Sequence, residues 1–230
     1  MSELVVALDF KDAQSALEMA EKVRGVAPWV KVGLELFCAE GPEIITRFKE
    51  MGFKVFVDLK FFDIPNTVKG AVRSATRAGA DMLSLHALGG ERMAIAAREG
   101  RAEAGIGGEG PLLMAITILT SMSEEDIPFP VPDGLGEAVL DLALASSQAG
   151  LDGVVCSGLE IEAIKEKCGK DFLGLTPGIR PASVSDDQRR VVTPAQAVER
   201  GSNFLVVGRP ITGADDPAEA ARRIVAEMES

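Results

Sequence analysis

The chain has 230 residues, 47% of them hydrophobic, and a formal net charge of −11. That is enough apolar material for one well-formed core, so a single domain spanning residues 1–230 is expected. The acid excess opposes a nucleic-acid surface, which needs clustered Lys and Arg to displace counterions, and no apolar run approaches the roughly 18 residues of a membrane span.

The N-terminus lacks a basic segment followed by a long apolar run, so no signal peptide is expected. Three cysteines, Cys38, Cys156 and Cys168, match no zinc or redox spacing. Reduced thiols in a cytoplasmic protein are the simple reading. An anionic ligand remains compatible with the net charge if its basic partners are gathered locally.

Along the chain, short apolar runs alternate with helical stretches. The runs predict strands at Leu4–Leu8, Trp29–Leu34, Phe53–Asp58, Met82–His86, Leu112–Ile118, Gly153–Cys156, Phe172–Leu175 and Asn203–Val207. They are nearly all apolar rather than alternating, which suits parallel strands covered on both faces. Between the early strands, Gln14–Arg24 and Glu43–Glu50 place apolar residues at helical spacing. Gly25, Gly52 and Gly79 recur at an interval of 27 residues, where the residue after a helix often turns left-handed. Later punctuation falls at Gly150, Gly169 and Gly201, and Pro217 sits where proline suits a first helical turn. Eight strands alternating with helices predict an α/β (β/α)8 TIM barrel. An open doubly wound sheet fits less well, because the first strand runs into Asp9-Phe10-Lys11 with no glycine-rich fingerprint.

In such a barrel, function is expected where strands end. Asp9 follows the first run, Lys31 interrupts the second, Asp58-Leu59-Lys60 closes the third, and His86 closes the fourth. Asp58 and Lys60, two apart on an extended segment, point to one side, with Lys31 on the neighbouring strand at similar height. On charge alone this is either a structural ion pair at the mouth or a reaction centre. Lys31 is either paired or snorkels to the rim. Gly178-Ile179-Arg180 and Gly208-Arg209 follow the seventh and eighth runs, where these barrels commonly bind phosphate. His86, the single histidine, makes a histidine-rich metal site or a Ser-His triad improbable and reads as a buried hydrogen-bonding residue. The irregular segments 120–136 and 178–190 are the natural lids.

The segment Asp58-Leu59-Lys60-Phe61-Phe62-Asp63-Ile64-Pro65-Asn66-Thr67 resembles the D-x-K-x-x-D-I-P-N-T signature of the orotidine 5'-phosphate decarboxylase family. Val5, Ala7-Leu8-Asp9, Lys31-Val32-Gly33, His86-Ala87, Leu119-Thr120-Ser121, Thr176-Pro177-Gly178-Ile179-Arg180 and Val207-Gly208-Arg209 extend the likeness, closest to the bacterial branch, over essentially the whole chain. Phe61-Phe62 departs from it, since many members carry a more polar or histidine-containing pair there.

The resemblance implies decarboxylation of orotidine 5'-phosphate to UMP, without metal or cofactor. It assigns Lys60 as proton donor to C6 of the pyrimidine, Asp58 beside the scissile carboxylate, and Lys31 as partner of Asp58 and of the ribose. Asp9 would bind ribose hydroxyls, and Thr120 and Ser121 the base. Pro177 would shape the pocket, Arg180, Gly208 and Arg209 would hold phosphate, and Gln188 would close over the ligand. Asp63 and Thr67 would reach into the site of a second chain, making a homodimer with a Lys31–Asp58–Lys60–Asp63 tetrad. A Mg-dependent 3-keto-L-gulonate 6-phosphate decarboxylase or hexulose-6-phosphate synthase shares the barrel and the D-x-K-x-x-D segment. Lys31 and the Ile64-Pro65-Asn66-Thr67 extension argue against it. A non-catalytic phosphate-ligand binder is a third reading, disfavoured by the complete Asp58, Lys60 and Asp63 set.

Overall fold

The computed structural model describes residues 2–105, 110–128, 130–180 and 192–230. Its strands are β1 (Glu3–Ala7), β2 (Trp29–Val32), β3 (Lys54–Phe61), β4 (Met82–His86), β5 (Leu112–Ile116), β6 (Gly153–Val155), β7 (Leu173–Thr176) and β8 (Phe204–Val207). They pair in sequence order, all parallel, and β8 returns to β1 to close a barrel. The expected (β/α)8 architecture is present, and the predicted strand ends lie within about two residues of the observed ones everywhere except β3.

The helices are α1 (Ala13–Val23), α2 (Leu34–Glu40), α3 (Glu43–Glu50), α4 (Pro65–Arg77), α5 (Gly90–Glu103), α6 (Gly134–Gln148), α7 (Ile161–Cys168), α8 (Pro194–Glu199), α9 (Arg209–Thr212) and α10 (Pro217–Met228). Local chemistry sets their starts. Asp12 accepts from the Ser15 N–H at 2.8 Å at the head of α1, and Asp216 does the same for Glu219 at 2.9 Å on α10. Pro65, Pro194 and Pro217 occupy first-turn positions, where a missing N–H costs nothing. Gly25, Gly52 and Gly79 all take positive φ (80°, 91° and 96°), as their spacing predicted. The short α2 is unexpected: its seven residues follow directly from β2 through Gly33.

Two apolar layers hold the barrel. One fills the space between strands and helices, with Val30, Val32, Val55, Val57, Leu83 and Leu85 facing outward. The other fills the interior with Val5, Ala7, Trp29, Phe56, Met82, Met114, Ile116, Val155, Leu175, Phe204 and Val206. Side chains alternate along a strand, so the residues two beyond Trp29, Phe56 and Met82 also face inward. Those residues are Lys31, Asp58 and Ser84, all buried. The apolar interior thus gives way to polar groups at its C-terminal end.

β3 does not stop at Asp58. It continues to Phe61, but its pairing with β4 slips: Val57 faces Leu83, and the next partner of Leu85 is Phe61. Four residues of β3 pass while β4 advances by two. The excess is absorbed at Lys60, whose φ of 53° is the one positive value at a non-glycine residue among the described residues. A left-handed lysine costs about 1–2 kcal/mol and persists only where its surroundings hold it.

Candidate active site

The polar residues at the barrel mouth form a row of alternating charge. Lys31 Nζ donates to Asp9 Oδ1 at 2.7 Å and stands 3.8 Å from Asp58 Oδ2. Lys60 Nζ donates to that same Asp58 oxygen at 2.8 Å. Read across β1, β2 and β3, the row is Asp9–Lys31–Asp58–Lys60. Lys31 and Asp58 are each 8% exposed, so the lysine is paired inside the barrel and does not snorkel to the rim. Its tighter partner is Asp9, with Asp58 the looser one. A half-filled row would leave a buried charge uncompensated, at a cost of about 3–5 kcal/mol.

Gly33 makes room for this. A Cβ at that position would lie 2.5 Å from Asp9 Oδ1 and 3.0 Å from Lys31 Nζ. Any side chain there would displace one end of the pair.

The row also fixes protonation. Burial pushes the Asp58 carboxyl up, but the ammoniums of Lys31 and Lys60 and hydrogen bonds from Lys60 and Ser84 outweigh it and hold it below its ordinary value. His86 is held below its ordinary range, first by burial and then by the Lys60 charge, with Asp58 opposing. The hydrogen-bonding role expected for His86 is not met at Nδ1, which is buried and has no partner among the described residues. The ring instead leans on Phe62, with centroids 5.5 Å apart.

Beside the row lies a cavity of about 170 Å³. Lys31, Asp58 and Lys60 line one side, and Thr120, Ser121 and Pro177 come from the loops after β5 and β7. Phe56, Ile116, Val155, Leu175 and Val206 form its apolar wall. Six of the predicted site residues therefore meet in one place, and Asp9 joins them through Lys31.

Asp63, Thr67, Arg180, Gly208 and Arg209 are not among the residues that line this cavity. Asp63 is exposed, and its carboxylate accepts the N–H of the adjacent Ile64 at 2.6 Å. Thr67 is exposed on the first turn of α4. Arg180 is buried just beyond β7, its guanidinium donating to the Ile179 carbonyl at 2.9 Å. Gly208 and Arg209 lead from β8 into α9. Gln188, and most of the segment 178–190, lie outside the described residues.

The sequence model of the orotidine 5'-phosphate decarboxylase / HUMPS family matches residues 2–224. The chain belongs to this family. It is 94% identical to orotidine 5'-phosphate decarboxylase of Maridesulfovibrio salexigens, with all of each chain covered. It is 59% identical to the enzyme of the same name from Nitratidesulfovibrio vulgaris, covering 99% of this chain and 98% of that one. Among solved structures, orotidine 5'-phosphate decarboxylase from Lactobacillus acidophilus superposes with a TM-score of 0.87 at 38% identity, over 100% of both chains. The family resemblance read from the motifs is thereby established over nearly the full length.

Two residues of the site escaped sequence reasoning. Ser84 lies inside an apolar strand and reads as filler, although its two-residue spacing from Met82 was a usable signal. Gly33 stands in the Lys31-Val32-Gly33 motif, where the sequence alone assigns it no role. Its function appears only when the Asp9–Lys31 pair is seen to fill the space its side chain would need.

Proposed function

We propose that this protein is an orotidine 5'-phosphate decarboxylase that forms UMP in pyrimidine biosynthesis, acting as one domain over residues 1–230. The observation that carries the chemistry is the Lys60 ammonium, held 2.8 Å from a buried carboxylate at the edge of an apolar cavity. When the C6–carboxylate bond breaks and CO2 leaves, its electron pair stays on C6. A fixed ammonium stabilises that charge and then delivers its proton, forming the C6–H bond. Lys60 is left neutral and regains a proton from solvent. The apolar wall strengthens these electrostatics by excluding water.

Asp58 serves first as the anchor that pairs with Lys60 and Lys31 and aims them. Lys31 and Asp9 bind the ribose hydroxyls. Thr120 and Ser121 hold the base, and Pro177 shapes the pocket. Arg180, Gly208 and Arg209 bind the phosphate, with Arg supplying a bidentate fork, and Gln188 closes over it. Phosphate binding far from C6 lowers the barrier when its energy is used to complete the site.

The site is shared in a homodimer. Phe62 and Ile64 are 60% and 67% exposed on either side of Asp63, and Leu34 at the start of α2 and Leu88 in the 3-10 turn after β4 are exposed as well. An apolar rim of this kind calls for a cover, and a second copy would bring Asp63 and Thr67 to its partner's lysines. Mixing inactive Asp63→Ala and Lys60→Ala chains restores one complete site per heterodimer; no recovery would place Asp63 in its own chain's site. Among the described residues no helix is long and apolar enough to cross a membrane. We place the enzyme in the cytoplasm.

The direct test is loss of orotidine 5'-phosphate absorbance in the presence of EDTA. Full turnover is expected. Activity that appears only when divalent metal is restored, or only with 3-keto-L-gulonate 6-phosphate, would overturn the assignment.

A further inference from the structure

Ser84 belongs to the inward-facing set at the mouth, and none of the roles above uses it. It is wholly buried, at 0% exposure. Its Oγ donates to Asp58 Oδ1 at 2.8 Å and accepts the backbone N–H of Lys60 at 2.9 Å. One hydroxyl spends its donor on the carboxylate and an acceptor site on the residue that carries the reacting ammonium.

Two features give that link consequence. First, both lysines address Oδ2 of Asp58, which leaves Oδ1 to Ser84. Ser84 therefore sets the rotation of the carboxylate and so which oxygen faces the ammoniums. Second, Lys60 sits at φ 53° inside the slipped stretch of β3. Its N–H is turned to the Ser84 hydroxyl where a regular ladder would offer a strand carbonyl. The contact comes from β4, the strand whose register the slip is measured against.

We propose that Ser84 is a positioning residue for the decarboxylation, its hydroxyl locking the Asp58 carboxylate and the left-handed Lys60 backbone into the one arrangement that presents the Lys60 ammonium to the cavity. This rests on the decarboxylase reading above. Ser84 touches no substrate; it acts through its two neighbours.

The variant Ser84→Ala tests it. kcat falls by about 10- to 100-fold, as expected when a hydrogen bond to a charged group is lost at a site that must be preorganised, while KM stays within about threefold. The acid limb of the kcat profile moves to higher pH, because the Asp58 carboxylate loses a donor that favours its ionised form. The other charged or titratable groups around Asp58 are Lys31 from β2, Lys60 on its own strand, His86 from β4, and Asp9 beyond Lys31. None is altered, so the displacement belongs to the hydroxyl. Wild-type kcat with an unmoved acid limb overturns the proposal. So does a kcat loss matched by a fall in melting temperature with the limb unmoved, which marks a merely structural residue. Should Ser84→Ala not fold, Ser84→Cys keeps the size, weakens the donor and is read by the same measurements.

Two readouts need no turnover. In Ser84→Ala the Lys60 amide exchanges with solvent faster than in wild type, and the 13C titration of the Asp58 carboxyl moves up. Both unchanged would sink the proposal. If Ser84→Ala shows both effects while the wild-type protein does not decarboxylate orotidine 5'-phosphate, the functional reading alone fails.

Discussion

The two ends of this barrel both carry paired charges, and they use them differently. At the N-terminal floor, Asp81, Asp152 and Asn203 each stand just before an even-numbered strand. Each side chain accepts the N–H of a residue in the preceding strand: Val55, Leu113 and Gly174, at 2.7, 2.7 and 2.9 Å. Each also takes one cation from a helix, Lys49, Arg101 or Lys165. The corresponding position before β2 is Pro28, which has no side chain to do this. At the mouth, Asp58 has two lysines and a serine and, among the described residues, accepts no backbone N–H. Floor charges are tied to the ladder and fix its register. Mouth charges are tied to one another, so their positions can serve a ligand.

Exposure follows the same division. Asp81 and Asp152 keep 28% and 27% of their side chains in solvent, against 12% for Asp58. Exposed pairs contribute little to stability, and buried ones are costly to break. The floor should therefore answer mutation with a modest loss of stability and little change in rate, whereas the mouth should answer in rate above all and in stability as well.

The largest effect is expected from Asp58→Ala. It leaves Lys31 and Lys60 in a closed site without their shared anion, and kcat should fall by about 1,000-fold or more, as for other losses of preorganised charge. Steady-state kinetics with a circular dichroism control would show it; a rate within tenfold of wild type would merge the two ends into one class. The same carboxylate sets an acid limit on the folded protein. Its folded value lies below the ordinary 3.8, so its contribution to stability is complete above that value and is lost as pH falls through the lowered one. In Asp58→Asn that part of the acid transition should disappear from a pH series of denaturation curves.

Gly33→Ala should come next. The added methyl pushes apart the Asp9–Lys31 pair without touching Lys60, and KM should rise by about tenfold with a smaller change in kcat. Equal losses in both constants would mean that the row moves as a unit. The smallest catalytic effect belongs to the floor. Asp152→Ala removes an acceptor from the Leu113 N–H and a partner from Arg101, at about 1–2 kcal/mol. For a chain of this size that lowers the melting temperature by about 2–8 °C, with kcat within about twofold of wild type. A floor substitution that slowed turnover and spared stability would break the contrast.

Much of the fold was legible because parallel strands buried on both faces are written as short apolar runs, and eight of them stand clear between glycines and helical stretches. The C-terminal end of β3 was not legible. An extended reading of Asp58-Leu59-Lys60 predicted side chains on one side, and the two groups do meet, but through a slipped strand and a left-handed lysine. No residue preference announces such a backbone at lysine, since it is imposed by β4 and by Ser84. The charged members of the site stood out because charge inside an apolar run is anomalous. Ser84 did not, because a small hydroxyl residue in a strand is ordinary, and its importance lies in two hydrogen bonds that need the folded register. His86 misled for the opposite reason: as the single histidine it invited a polar role, yet its buried Nδ1 has no partner among the described residues and its ring packs on Phe62. Asp63 was legible only through the family motif, for within one chain it bonds to its own neighbour.

The measurement that bears most directly on the mouth as the reaction centre is the turnover of Lys60→Ala set beside its affinity for a nucleotide. The account predicts that kcat falls by about 1,000-fold or more while 6-azauridine 5'-phosphate still binds within about tenfold of wild type, since the lost ammonium acts chiefly in the transition state. Decarboxylation by Lys60→Ala at a rate near that of wild type would contradict it.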